Sequence, residues 1–176
     1  MSLLDELILS EFVKISRSPD FDNFRGIDGL GEANSLPLDC RDFAASFASL
    51  RLKSCTIYLQ RTFPRILQMQ YTTTGAIVGL MMEDAASLTL NGLEARGPAF
   101  LLVKGSAKCE IVEPQTNLVA FVNFDAVEDR GWPGEVDRAQ VITTETARIE
   151  TLRTTLRDAL RLASHSAETL TQPGMI

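Results

Sequence analysis

His165 is the single histidine among 176 residues, and that one fact removes most of the chemistry a chain of this size could perform. Transition-metal centres built on strands need two or three imidazoles beside a carboxylate at tight spacing. Nucleophilic triads need a histidine that can reach a serine or cysteine. His165 lies near the end of a predicted C-terminal helix, where a solvated imidazole faces the negative end of the helix dipole. No Gly-x-Ser-x-Gly elbow, Gly-x-Gly-x-x-Gly turn or phosphate-binding Gly-x-x-x-x-Gly-Lys loop can be read. Cys40, Cys55 and Cys109 are odd in number and lack Cys-x-x-Cys spacing, so reduced, buried thiols are expected rather than a disulfide framework or a zinc knuckle. The expectation is therefore no catalytic residue, no metal and no other cofactor: not an enzyme.

The remaining candidates sit on short apolar runs. Tyr58, Arg65, Gln68, Gln70 and Met81, together with Met69, Tyr71 and Met82, alternate in facing along strand-like segments, so one subset must point inward. A small β-barrel either fills with side chains or holds one small molecule. The methionines suit core packing, and the arginine and glutamines suit a solvated strand face. The competing reading makes Tyr58, Arg65, Gln68, Gln70 and Met81 contacts of a bound ligand. Trp132, in Arg130-Gly131-Trp132-Pro133, either packs a loop onto the domain or shapes a ligand entrance.

The elements that must position these groups are mostly strands. Between Phe43 and Phe124 apolar runs are broken at roughly ten-residue intervals, the pattern of a sandwich or barrel. Strands are expected over 43–52, 55–61, 66–71, 76–82, 87–90, 94–95, 100–103, 107–112 and 118–124, joined as an antiparallel meander, with 43–52 open to a helical reading because of Ala44, Ala45 and Ala48. Asn91-Gly92 between two such runs predicts a two-residue hairpin, because both positions tolerate positive φ. Lys104-Gly105-Ser106 and Glu113-Pro114-Gln115-Thr116-Asn117 predict further turns. Residues 3–15 are expected to form a helix or ordered arm, and residues 18–37 an irregular approach.

Thr143-Thr144-Glu145 offers a helix start, and a helix is expected over 145–164. Ile149, Leu152, Leu156, Ala159 and Ala163 follow three-four spacing, which suits either packing on the barrel or an intersubunit helix pair. Homodimerisation through that stripe is the expectation. A net charge of −6 argues against direct nucleic-acid binding, which depends on clustered Lys and Arg. No run of eighteen apolar residues occurs, and the N-terminus lacks the pattern of a secretory signal, so a cytoplasmic protein without a membrane partner is expected.

The order of these features resembles the N-terminal sensor and dimerisation domain of AraC-family transcriptional regulators. The Asn-Gly hairpin within residues 88–94, the Gly97-Pro98-Ala99-Phe100-Leu101-Leu102 step and the terminal helix carry the likeness. Asp22-Asn23-Phe24-Arg25, Arg130-Gly131-Trp132-Pro133 and Leu152-Arg153-Thr154-Thr155-Leu156-Arg157 place it nearer the subgroup with a divergent sensor domain. The resemblance implies a mainly β fold, a cupin-like antiparallel β-barrel or sandwich followed by one or more α-helices. It divides the chain into an N-terminal segment (1–37), an effector barrel (38–130) and a linker with a dimerisation helix (131–176). It further implies a small-molecule effector and contact with DNA only through a helix-turn-helix domain that would follow this segment. The alternatives are a metal-free cupin-like enzyme of isomerase or epimerase type, using an Arg/Tyr/Glu set, and a purely structural dimerisation module.

Overall fold

In a computed structural model the protein is described over residues 3–7, 13–18, 31–39, 43, 45–83, 88–94, 98–125 and 135–165. These residues form ten strands and two helices, and the architecture follows from the two longest strands. β5 (Arg65–Met81) and β8 (Ala99–Glu113) pair antiparallel, with a register shift between Thr72 and Ala76. Before the shift, β5 lies between β8 and β2 (Gly31–Pro37). After it, β5 lies between β8 and β9 (Leu118–Phe124). The shift is a corner at which both strands pass from one layer of a sandwich into the other.

Gly105 forms the matching corner in β8. Its φ of +74° is open to glycine and strained for other residues, and the Asp137 side chain occupies the space a Cβ would need. The residues expected to make a turn at Lys104-Gly105-Ser106 thus bend a continuous strand. The Asp137 carboxylate accepts a hydrogen bond from the Ser106 backbone N–H at 2.8 Å and pins the bend. The expected strands over 66–71 and 76–82 are likewise one strand, as are those over 100–103 and 107–112.

β4 (Cys55–Arg61) and β9 fall where the sequence places them. β3 (Ala45–Arg51) is a strand, so the helical alternative for that stretch does not hold. β6 (Thr89–Leu90) and β7 (Leu93–Glu94) meet at Asn91-Gly92, whose φ values of 50° and 76° are those the expected hairpin requires. The connectivity is not a meander: the β6–β7 hairpin lies within the β5–β8 pair, which lies within the β4–β9 pair. The sheet follows the order β1-β3-β4-β9-β5-β8-β6-β7 and does not close.

Three strands lie where none was expected. β1 (Val13–Ser18) pairs with β3 in the segment read as a helix or arm, of which, among the described residues, Leu3–Glu6 is helical (α1). β2 occupies part of the stretch read as irregular, and β10 (Arg138–Thr143) adds to β8. Each has one partner in the sheet. Edge strands of this kind carry little apolar alternation and are held by the ladder of the neighbouring strand.

Two apolar cores result. Between the layers lie Tyr58, Leu67, Tyr71, Ile77, Val103, Ile111 and Phe121. On the other face of the β4–β9–β5 layer lie Ile57, Leu59, Leu80 and Val122, covered by α1 and by α2 (Thr146–His165). Burial on both faces explains why β4 and β9 read as nearly unbroken apolar runs. The molecule is a cupin-like β-sandwich followed by a helix. No helix among the described residues is long and apolar enough to cross a membrane.

Candidate functional site

Between the layers the packing leaves a cavity of about 60 Å³. Its apolar wall comes from β5, β6, β8, β9 and β10, through Leu67, Leu90, Leu101, Ile111, Phe121 and Val141. Gly79 contributes a bare stretch of backbone, where a Cβ would stand 3.0 Å from the Phe121 ring. Three polar side chains interrupt the wall: Thr62, Arg65 and Glu113.

Arg65 opens β5 and Glu113 closes β8, and the strand register sets them directly opposite each other. The Arg65 Nε donates to Glu113 Oε2 at 2.7 Å, with side chains only 3% and 4% exposed. Arg65 Nη2 donates to Gln60 Oε1 at 3.5 Å, and the guanidinium carbon lies 5.1 Å from the centre of the Phe63 ring. Phe63 is in turn braced edge-on by Phe43 at 4.6 Å between centroids. Two opposite charges are thereby held out of water by a partner, an amide and an aromatic face, which burial of ions demands.

Tyr71 shares this interior, fully buried, and among the described residues its hydroxyl has no hydrogen-bond partner. Burial chiefly, with the Cys109 thiol and Glu113 nearby and Arg65 opposing, pushes the phenol well above its usual range. Burial also pushes the Cys109 thiol up to about 11. Cys55 and Cys109 are both buried. Cys40 lies outside the described residues. Among the described residues no three His, Cys, Asp or Glu side chains come together as a metal-ligand set.

The expected ligand contacts separate by strand parity. Arg65 and Met81 line the cavity, and Tyr58 is buried in the same core without lining it. Gln68 is exposed and Gln70 half-buried, and both line a broad, open depression shared with Asn34, Lys108 and Glu110. Trp132 lies outside the described residues. Glu113, Thr62 and Gln60 were not singled out by sequence. Glu113 was read only as the start of a turn, and its pairing with Arg65 depends on a register that spans 48 residues.

α2 abuts the strand end that lines the cavity. Arg153 donates from Nε to the Met81 carbonyl at 2.9 Å and from Nη2 to the Glu83 carbonyl at 3.3 Å. Arg157 donates to the Met82 carbonyl at 2.9 Å. Ile149, Leu156 and Ala163 are buried in this chain's own core, with Ala159 packed beside them; Leu152 alone of the stripe is exposed, at 40%. The helix therefore spends most of its apolar face on its own sheet, the first of the two uses its spacing allows.

No protein-family model matches the sequence, and no curated protein does either. Among solved structures, the chain is similar to an ethanolamine utilization protein Q from Salmonella typhimurium LT2. Identity is 13%, over 65% of this chain and 97% of that one, with a TM-score of 0.38. It is also similar to the AraC-like transcriptional activator CuxR, at 13% identity over 87% of this chain and 61% of that one, with a TM-score of 0.39. This chain thus spans less than two thirds of the CuxR chain. Likenesses this distant bear on neither ligand nor activity.

Proposed function

We propose that this chain is a small-molecule sensor domain of a cytoplasmic transcriptional regulator of AraC type, whose cavity reports its occupancy to α2. One observation carries the reading: Met81 lines the cavity through its side chain while its carbonyl receives the Arg153 guanidinium of the helix. A ligand that shifts the Met81 backbone strains that hydrogen bond, and through it the free energy of binding would be linked to the helix position. DNA contact would fall to another domain, since the net charge here is −6. Homodimerisation is part of the proposal, with Leu152 the member of the helical stripe that is exposed to a partner.

A metal-free enzyme is the second reading, favoured by the buried Arg65, Glu113 and Tyr71 in one interior. A single experiment separates the two. The protein is screened by thermal shift against a metabolite panel, and each binder is then followed by hydrogen exchange and by product analysis. The sensor reading expects a raised melting temperature together with altered exchange in both residues 77–83 and 146–165. Altered exchange confined to the cavity strands refutes the link to the helix, and conversion of the binder establishes the enzyme.

A further inference from the structure

The cavity also carries information about what fits it, an inference that rests on the sensor reading above. Its one strong charge pair is already internally balanced. Arg65 gives Nε to Glu113 at 2.7 Å, Nη2 to Gln60 and one face to Phe63, so its charge is balanced by a carboxylate in direct contact. Glu113 differs. A carboxylate offers about four acceptor positions on two oxygens. Among the described residues its hydrogen bond comes from Arg65 to Oε2 alone, although the side chain is 4% exposed and lines the cavity. The unspent acceptor capacity in the cavity therefore belongs to a negative group.

From this we infer that the site accepts a short apolar molecule carrying one hydrogen-bond donor, an alcohol or an amine, and rejects carboxylates and phosphates. A donated O–H or N–H would supply Glu113 with the second partner that a buried carboxylate needs. An anion would instead meet Glu113 Oε1, the oxygen to which no described residue donates. The wall of leucine, isoleucine, valine and phenylalanine requires an apolar body. Size follows from the 60 Å³ of room, since a water occupies about 10–15 Å³ on this scale. The occupant has roughly four to six non-hydrogen atoms.

The test uses the unmodified protein and four probes of similar length: 1-butanol, n-butylamine, butyrate and methyl propyl ether. Binding is read by ligand-observed NMR and by thermal shift. The expected result is that the alcohol, the amine or both bind at least tenfold more tightly than butyrate and the ether; which of them binds identifies the donor. Ala99→Leu, which narrows the same cavity from a half-buried position, abolishes that binding. Butyrate or the ether binding as well as the donors overturns the inference while leaving the sensor reading intact, as does tight binding unaffected by Ala99→Leu. Failure of all four probes overturns this ligand class; if the metabolite panel is also silent, the sensor reading falls with it.

Discussion

Tyr71 and Cys109 lie within one core, and both are held in their protonated forms by burial. In the unfolded chain the thiol and the phenol would ionise near their ordinary values of 9.0 and 10.0. Between those values and the raised native ones, the unfolded state binds fewer protons than the native state, so stability falls as pH rises. It is complete well below pH 9 and declines as pH rises from about 9 to about 11 through Cys109, with Tyr71 adding to the decline above 10. Urea midpoints measured at pH 8, 9 and 10 are expected to drop in that order, and Cys109→Ala should remove the part of the slope that begins at pH 9. A midpoint that is level across this range contradicts the burial of Cys109.

Among the elements, α2 separates what spacing reveals from what it leaves open. The sequence places the helix within a residue of its observed start and end, because Glu145 receives the first helical hydrogen bonds and the apolar period persists to Ala163. It leaves open which surface the stripe meets. The structure answers residue by residue: Leu160 is fully buried and Leu152 is 40% exposed. Leu160→Ala is therefore expected to cost about 2–5 kcal/mol in urea unfolding, through the cavity it leaves. Leu152→Glu should stay within about 0.5 kcal/mol. Sedimentation of the latter variant measures whether Leu152 contributes to self-association. The strands divide in the same way. β4 and β9 were legible because burial on both faces makes them apolar throughout, whereas β2 and β10 take their conformation from β5 and β8, whose pairing no local pattern encodes. The candidate site suffered most from this. Arg65 and Met81 could be nominated from strand parity, but Glu113 joins them only through the long-range register.

At the scale of the whole molecule, the nested pairing of strands prescribes an order of events in time. The β6–β7 turn closes the shortest loop, and once it is made the ends of β5 and β8 are neighbours; once those have joined, β4 and β9 are neighbours too. Each pairing thus encloses a loop that earlier ones have shortened, so the entropy of closure is spread over small steps. Folding then resembles a zipper that starts at Asn91-Gly92. Gly92 is a clean probe of that start, because its φ is +76° and nothing lies within 4 Å of where a Cβ would be, so Gly92→Val changes backbone preference without disturbing packing. Stopped-flow refolding of this variant is expected to slow about tenfold for each 1.4 kcal/mol of lost stability, with the unfolding rate nearly unchanged. Faster unfolding at an unaltered refolding rate would mean instead that the tip of the ribbon is the last part to form.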